Sequence, residues 1–346
     1  MNRRERALGA FYGLAVGDAL GMPTQSMSRE RIAERYGPVT GMLDAVADQP
    51  IAPGMPAGSI TDDTEQAVLL ARLLVDGRGR VDPRVFADAL IGWEADMIRR
   101  GSADLLGPST KRALTLLESG VAPEEAGLGG ATNGAAMRVT PIGIAFPPSD
   151  ALLDAVVETG RVTHNSSIGL AAAAAVGAAV SAGVDGASLT EALDEGERAA
   201  EAGALRAPWA AGGSIAARIR WARRWVRGMD TPALADALSE VVGTSVSAQE
   251  SVVAAFALAE ALGDSPREAL LLAAGIGGDT DTIAAMCGAM LGAHHGIGGI
   301  GGIDGIPADF VGTVRRVNSL ELEPVVDGLL ELRDRTTTGG SHVGHH

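Results

Sequence analysis

The chain has 346 residues, of which 46% are hydrophobic and only 3% aromatic, and its formal net charge is -15. That length suits one large domain with a substantial core. The acidic balance argues against capture of nucleic acid or of an anionic membrane, because both need a basic surface to neutralise phosphate. The single cysteine, Cys287, excludes an internal disulfide and a cysteine-built metal site.

The first predicted element, within residues 1–21, has a basic beginning and an apolar run that superficially resemble a signal peptide. Asp18 interrupts that run and no convincing cleavage site follows, so we expect a first core helix. A second apolar run, 168–184, is mostly alanine and glycine, which favours a buried central helix over a membrane span. With no sign of an oxidising compartment, these features lead us to expect a cytoplasmic protein.

Apolar residues recur at three- and four-residue intervals along most of the chain, and alternating β-branched runs are nearly absent, which predicts an all-α fold. Helices are expected at about 3–17, 28–36, 62–76, 82–99, 108–118, 150–162, 166–182, 188–202, 213–227, 231–241, 249–262, 266–274, 280–294, 308–318 and 320–334. Three long connections, at 39–59, 127–148 and 296–307, interrupt them, and such connections are often functional.

The sequence contains no fixed-period repeat and no charged linker. We therefore expect one compact multi-helix domain over residues 1–335, followed by a disordered tail over 336–346. The three histidines of that tail are left out of the metal argument, because such a tail can be a remnant of processing.

The stretch GSITDDTEQ, residues 58–66, crowds acidic and hydroxyl side chains at a predicted helix start. One interpretation is structural: Asp62 is the N-cap, Glu65 completes a capping box, and the carboxylates favour the positive end of the helix dipole. The other interpretation is that these oxygens form half of a metal site.

The segment RIRWARRWVR, residues 218–227, is the main basic patch and has Trp221 and Trp225 four residues apart. A structural interpretation is an amphipathic helix whose tryptophans enter the core while its arginines stay solvated. The alternative is a contact surface for a phosphate-bearing or acidic partner.

A second acidic helix start, GIGGDTDT, lies at residues 275–282. A cap needs one short polar side chain, but the two clusters together offer four aspartates and several hydroxyls. If the two starts face each other, their oxygens suit a hard divalent cation such as magnesium, manganese or calcium better than zinc. In that arrangement Asp281 could bridge two ions. Spacing alone does not establish that the clusters meet.

Five motifs resemble, in order, those of the ADP-ribosylglycohydrolase family, which includes the dinitrogenase reductase-activating glycohydrolase and enzymes that remove ADP-ribose from modified arginine or serine. They are GLAVGDALGMPTQ (13–25), GSITDDTEQ (58–66), ATNGAAMRVTPIG (131–143), THNSS (163–167) and GIGGDTDTIAAMCGAMLGAHHG (275–296). The resemblance implies a compact all-α fold with two divalent cations, Mg²⁺ or Mn²⁺. The matching metal ligands are Thr61, Asp62, Asp63, Asp279, Asp281 and Thr282.

The same resemblance implies a substrate-binding loop that wraps the diphosphate and ribose. Its residues here are Gly130, Ala131, Thr132, Asn133, Gly134, Met137 and Arg138, with His164 as a further ligand contact. Small residues fit this task, because they let backbone amides approach phosphate oxygens. Arg138 either adds positive charge or braces the loop. A histidine alone is more often structural, but in the THNSS context a ligand contact and a structural role for His164 both stay open.

One position departs from the family pattern. Many relatives carry a metal-contacting glutamate shortly after GDALG, whereas this chain has Gln25. An amide oxygen can bind a metal, but it cannot act as a general base. Either Asp44 or Asp48 in the following connection substitutes for the glutamate, or no substitute is needed.

The function expected from these features is metal-dependent hydrolysis of a ribosyl C1 bond, most simply removal of ADP-ribose from a protein side chain or a related ADP-ribosyl conjugate. Asp62 and Asp63 are the candidates for the base and for orienting the water, with Asp281 also catalytic through the metal. Two alternatives remain: an N-glycosidase acting on a free nucleoside, nucleotide or ribosyl metabolite, and a non-catalytic module that binds ADP-ribose.

Overall fold

A computed structural model describes residues 1–100, 106–299 and 304–339. This part of the chain is one compact all-α domain without a β-sheet, as the apolar periodicity predicted. Its α-helices are Arg3–Gly21 (α1), Arg29–Tyr36 (α2), Asp62–Asp76 (α3), Pro83–Arg99 (α4), Pro108–Glu118 (α5), Pro123–Ala126 (α6), Gly134–Met137 (α7), Thr140–Ala145 (α8), Asp150–His164 (α9), Ser167–Val184 (α10), Leu189–Ala204 (α11), Ile215–Trp225 (α12), Thr231–Asp236 (α13), Ala248–Ala261 (α14), Pro266–Gly275 (α15), Thr280–His295 (α16), Ala308–Asn318 (α17) and Glu323–Gly339 (α18). A π-helical segment, Ala237–Val242, continues α13.

The central contact of the fold is an antiparallel pair, α1 against α16. A Cβ atom built on Gly13 would lie 2.1 Å from the carbonyl oxygen of Gly288, and one on Gly17 would lie 2.0 Å from that of Ala284. Glycine is therefore required at both positions, because any side chain would push the helices apart. This close pairing places the start of α16 beside the end of α1, where Thr280 Oγ1 donates to the carbonyl of Gly21 at 2.9 Å.

The two apolar runs are core helices. Every residue of α1 from Gly9 to Gly21 is buried. The helix α10 is long and apolar enough to cross a membrane by composition, but 94% of it is buried inside the fold. It packs against α8, α9, α11 and α16.

The prediction of a long connection over 127–148 is wrong for the second half of this range, which forms the short helices α7 and α8. Pro141 lies in the first turn of α8, where a proline needs no backbone donor. A Cβ on Gly143 would lie 2.6 Å from the carbonyl oxygen of Gly177, so this glycine serves helix packing. The proline and glycine that suggested a loop are thus parts of a packed helix.

The end of the domain also extends past the expected boundary, because α18 continues to Gly339. The remaining tail residues, 340–346, with all three tail histidines, lie outside the described residues, as do 300–303 of the glycine-rich connection. On either side of that gap, Gly298 N–H donates to the carbonyl of Ile306 at 2.9 Å.

In the 218–227 segment, two tryptophans and one arginine are buried and exposed in the opposite way to the expectation. Trp221 and Trp225 stack with ring centroids 5.2 Å apart but keep 40% and 36% of their surface exposed. Arg223 is buried instead, and it binds Asp194 and Glu260, each at 2.8 Å. Acidic residues on α11 and α14 draw this arginine inward, a partnership that periodicity within α12 cannot predict.

Candidate active site

The two acidic helix starts meet. Thr61 precedes α3 as its N-cap, and Asp279 precedes α16 in the same position. Across them, Thr282 Oγ1 donates to Asp63 Oδ2 at 3.3 Å. The six residues proposed as metal ligands therefore belong to two neighbouring helix ends, which spacing alone did not establish.

The capping interpretation of TDDTEQ is wrong. The N-cap is Thr61 rather than Asp62, and no side chain caps the start of α3. Glu65 faces another way: Trp93 Nε1 donates to it at 2.6 Å, and Arg100 binds it at 2.9 Å. Since neither Asp62 nor Asp63 is used as a cap, their carboxylates are available to the cluster.

Asp18, on α1, holds the start of α3 in place. Its carboxylate accepts hydrogen bonds from Thr61 Oγ1 at 2.8 Å and Thr64 Oγ1 at 2.5 Å. The backbone N–H groups of the same two threonines also donate to it, at 2.9 and 3.1 Å. Because the Thr61 hydroxyl hydrogen points to Asp18, the lone pairs of its oxygen are free for another partner. In the sequence, Asp18 stands out only as a polar break in an apolar run, so this role was missed.

Five aspartates lie in this region: Asp18, Asp62, Asp63 and Asp281 are buried, and Asp279 is half-buried beside them. Burial, followed by the negative charges of neighbouring aspartates, raises the pKa of Asp62, Asp63 and Asp281 well above the usual range. Burial raises the pKa of Asp18 and Asp279 to about 6, against hydrogen bonds that lower it. The cluster as it stands lacks positive charge.

One buried, positively charged side chain, that of Arg138, is linked to the cluster through Gln66. Gln66 Nε2 donates to Asp62 Oδ2 at 3.3 Å, while Arg138 Nη1 donates to Gln66 Oε1 at 2.9 Å. The other end of Arg138 donates to Thr163 Oγ1 at 2.6 Å, and its guanidinium lies 5.1 Å from the Phe86 ring centroid. Arg138 is only 1% exposed, so in this arrangement it braces the site and does not reach a ligand. Gln66, which links the two, was not predicted.

The cluster contains unused acceptor atoms. Asp63 Oδ1 and Asp281 Oδ1 are buried without a hydrogen-bond partner in the described ranges. Desolvated carboxylate oxygens without partners are costly, and a hard cation bound by oxygen is the partner that such a donor set fits. Among the described residues, however, no group of three or more His, Cys, Asp or Glu side chains is arranged so that it could already hold a metal ion. The predicted set also includes two threonines.

The predicted substrate loop borders the same cluster. Asn133 Nδ2 donates to Asp279 Oδ2 at 2.5 Å and to Ser251 Oγ at 2.9 Å. Ala131 and Thr132 are half-buried, whereas Gly130, Asn133, Gly134 and Met137 are buried. The loop therefore presents mainly the stretch around Ala131 and Thr132 to a ligand.

The segment 244–247 supports this loop and was also missed. Asn133 N–H donates to the carbonyl of Val246 at 3.0 Å, and Asp279 N–H donates to that of Thr244 at 2.7 Å. The segment thus joins the substrate loop to the start of α16. It has no charged or motif-like residue, so the sequence offered no signal for it.

His164 lies behind the loop. It is fully buried between two hydroxyls, with Thr132 Oγ1 2.9 Å from Nε2 and Thr163 Oγ1 2.7 Å from Nδ1. Burial, with smaller contributions from the charges of Arg138 and Arg112, lowers its pKa well below the usual value. The imidazole is therefore neutral at physiological pH. Here it orients Thr132, and a direct ligand contact stays a prediction.

Neither proposed substitute for the missing glutamate is free. Asp48 pairs with Arg31 at 3.2 Å and also with Arg35. Asp44 accepts the Ala57 N–H at 2.7 Å within the same connection. Gln25 is buried, and its amide donates to the carbonyl of Met22 at 3.3 Å. Gln25 can thus offer its side-chain oxygen elsewhere, while both aspartates have roles of their own.

Comparisons with known proteins agree with this arrangement. The family model for ADP-ribosylglycohydrolase matches residues 1–339. YegU of Escherichia coli strain K12 is 35% identical over 301 residues, covering 86% of this chain and 90% of that protein. The ADP-ribosyl-[dinitrogen reductase] glycohydrolase of Rhodospirillum rubrum is 26% identical over 329 residues, covering 95% and 96%.

A solved structure, described as an ADP-ribosylglycohydrolase-related protein complex, superposes with a TM-score of 0.67 at 26% identity. The match covers 96% of this chain and 99% of that one. Together with the two acidic helix starts, these similarities confirm the expected family and class of enzyme. The chain belongs to the ADP-ribosylglycohydrolase family and is a hydrolase of the glycosidase type.

Proposed function

We propose that this protein is a divalent-metal-dependent hydrolase that removes ADP-ribose from a modified protein side chain. The observation that carries this proposal is the buried acid cluster, in which Asp63 and Asp281 each keep an unpartnered carboxylate oxygen. Family membership supplies the ribosyl chemistry, and the relative from Rhodospirillum rubrum is named for a protein substrate.

The residues that would hold the cations are Thr61, Asp62, Asp63, Asp279, Asp281 and Thr282. Two Mg²⁺ or Mn²⁺ ions bound there would neutralise the carboxylates, orient the ribose hydroxyls and polarise the attacking water. Asp18 orients the Thr61 hydroxyl, and Asn133 orients Asp279. These two contacts pre-set the positions of ligands on both helix starts.

In the reaction, a water oxygen forms a bond to ribose C1 as the bond from C1 to the leaving group breaks. Asp62 or Asp63 accepts the proton of that water, since both carboxylates lie at the start of α3 and neither is used as a helix cap. The leaving group takes up a proton and departs as the unmodified side chain. The transition state carries positive charge on the ribose.

The substrate loop would place the sugar against this cluster. Thr132 is hydrogen-bonded to His164, and Asn133 is hydrogen-bonded to Asp279 and Ser251. Such fixed side chains reduce the freedom that would otherwise be lost when the substrate binds. The neutral state of His164 suits a positioning role better than charge stabilisation.

Two substitutions test the proposal. Asp63→Asn and Asp281→Asn should keep the fold, as measured by circular dichroism, and abolish metal-dependent release of ADP-ribose. Asp48→Asn, at an acid that pairs with arginines outside the cluster, is the matched control and should keep activity. Full activity of the unmodified enzyme in EDTA would contradict the metal requirement.

The leaving group is tested by a panel. ADP-ribosylated protein, ADP-ribosyl-arginine, and free nucleosides and nucleotides are compared under identical metal concentrations. Preferential release from the protein or the arginine conjugate supports the proposal. Preference for a free ribosyl metabolite would establish the N-glycosidase alternative, and tight ADP-ribose binding without any turnover would establish the binding-module alternative.

A further inference from the structure

The fold leaves one side of α12 outside the core. The buried side of this helix packs against α10, α11 and α14 and contains no tryptophan. The outward side has residues at the three- and four-residue spacing of a single helical stripe, and they line a surface cavity of about 390 Å³. These residues, which we call the α12 face, are Ala217, Arg220, Trp221, Arg224 and Trp225.

The two tryptophans of the α12 face are not used by the core. Their rings stack on each other at an interplanar angle of 17°, and Trp221 and Trp225 stay 40% and 36% exposed. Two large apolar rings held together in water forgo the free energy that burial would give them. Tryptophan and arginine are also the residue types that most often dominate the binding energy of protein interfaces. The pair therefore indicates an interaction surface.

Positive charge surrounds these indoles, although the net charge of the chain is -15. The helix α12 contains four arginines and no acidic residue. Arg224 is exposed and, among the described residues, pairs with no acidic side chain. A neighbouring cavity of about 330 Å³ shares Arg220 and Arg224 with the α12 face and is also lined by Arg223, whose buried Nη2 has no hydrogen-bond partner in the described ranges. Guanidinium donors that are not used within the fold suit an anionic partner.

Carboxylates at the same place favour an acidic protein segment over a nucleic acid. Asp194 and Glu197 line the neighbouring cavity, and Arg220 already binds Glu197 and Glu201. A continuous row of phosphates would be repelled by these acids, whereas separate glutamate or aspartate side chains can lie between them. The exposed indoles add a surface for apolar side chains. A protein segment with both acidic and apolar side chains therefore fits the α12 face.

The helix α12 is anchored beside the candidate active site. Arg218, near its start, donates to the carbonyl of Gln249 at 2.8 Å and to that of Val242 at 3.1 Å. These two carbonyls flank the segment 244–247, which supports the substrate loop through the N–H of Asn133. Trp221 follows Arg218 by about one helical turn. The α12 face thus starts from the same segment that holds the substrate loop.

We infer that the α12 face docks an acidic, partly apolar segment of the ADP-ribosylated protein substrate. This inference rests on the proposed function and adds a contact outside the acid cluster and the substrate loop. The indoles bind apolar side chains of the segment, while Arg220 and Arg224 bind its carboxylates. Docking at a separate surface raises the effective concentration of the modified side chain at the acid cluster. It therefore selects among proteins that carry the same ADP-ribosyl bond.

The test compares the release of ADP-ribose from free ADP-ribosyl-arginine and from two synthetic peptides that each carry one ADP-ribosyl-arginine. One peptide continues through a flexible glycine–serine linker into a segment rich in glutamate and leucine, and the other has glutamine in place of every glutamate. The unmodified protein should show a kcat/KM roughly tenfold higher for the glutamate peptide, mainly through a lower KM.

Two variants separate the charged from the apolar contact. Arg224→Glu should remove the preference for the glutamate peptide, and Trp221→Ala should lower kcat/KM for both peptides. Neither variant should change kcat/KM for free ADP-ribosyl-arginine. Arg316→Glu is the matched control, because Arg316 on α17 is also exposed and pairs with no acid in the part of the chain that the structure describes. It changes the net charge equally and should keep the preference.

Several outcomes would overturn the docking surface. One is an unmodified protein that treats the two peptides alike, and another is an equal loss for peptides and free ADP-ribosyl-arginine in Arg224→Glu. Inhibition of peptide cleavage by oligodeoxythymidylate as strong as that by the unmodified glutamate segment would show a general polyanion site instead. In sedimentation velocity, a dimer that Trp221→Ala dissociates would show that a second copy covers the α12 face. If the unmodified protein releases ADP-ribose from none of the three substrates, the proposed function itself fails.

Discussion

Two regions of the molecule bury charged side chains in opposite ways. Arg223 on α12 is surrounded by acids, with Asp194 and Glu260 at 2.8 Å and Glu197 at 3.8 Å. The acid cluster at the starts of α3 and α16 buries aspartates beside one another, and unpartnered oxygens remain on Asp63 and Asp281. The buried arginine is neutralised by neighbouring acids and serves the fold. Buried carboxylates without a positive partner are tolerated where a ligand supplies the opposite charge.

The largest effect should come from breaking the neutralised region. Glu260 accepts Arg223 and Arg227, and its side chain is only 11% exposed. Glu260→Gln leaves the buried Arg223 short of negative charge and should lower the free energy of unfolding by about 3 kcal/mol. Denaturant titration measures this change in the free energy of unfolding. The metal affinity should not change.

The control for this change is an exposed ion pair. Asp150 binds Arg206 at 2.7 Å but is 88% exposed, so Asp150→Asn should cost less than ~1 kcal/mol. Equal destabilisation by the two substitutions would mean that burial does not distinguish these ion pairs. A loss of metal affinity in Glu260→Gln would mean that the two charged regions are coupled.

The two regions also show what the sequence could predict. Helical periodicity located most of the helices, and two acidic motifs identified both halves of the cluster, because these signals are local. The roles of Asp18 and Gln66 were missed, because their partners Thr61 and Arg138 lie 43 and 72 residues away in the chain. The same limit explains the reversal in α12, where acids on α11 and α14 decide which side chains are buried.

The second effect concerns the residue that orders the cluster. Asp18→Asn keeps the shape of the side chain but places an N–H group against the donors of Thr61 or Thr64. Outer partners of metal ligands typically contribute tenfold to a hundredfold in affinity, so we expect Mg²⁺ or Mn²⁺ binding to weaken by about 10–100-fold. Calorimetry with each ion measures this change.

The melting temperature in EDTA separates positioning from folding. If Asp18 only stabilises α1, Asp18→Asn should lower the melting temperature in EDTA and leave metal affinity intact, which contradicts the positioning role. Asp44→Asn is the control, because Asp44 also accepts a backbone N–H but does so in the 39–59 connection. It should leave metal affinity unchanged.

The smallest effect has the opposite sign to that of Glu260→Gln. Burial and neighbouring carboxylates raise the pKa of Asp63, and burial raises the pKa of Asp18 and Asp279 to about 6. The folded metal-free protein therefore keeps protons that unfolded aspartates, with pKa about 4, have lost. For these groups, the free energy of unfolding falls as pH rises from about 4 through the folded values.

Removing one of these charges should therefore stabilise the metal-free protein. In EDTA at pH 7, Asp63→Asn should raise the melting temperature by about 1–2 °C, equivalent to ~1 kcal/mol, and the gain should shrink as pH falls toward 4. Divalent cations should reverse the order, because the unmodified protein binds them and the variant has lost a ligand. If Asp63→Asn instead lowers the melting temperature in EDTA at pH 7, the fold itself requires the negative charge of Asp63. That result would contradict the view that these carboxylates are buried without compensating positive charge.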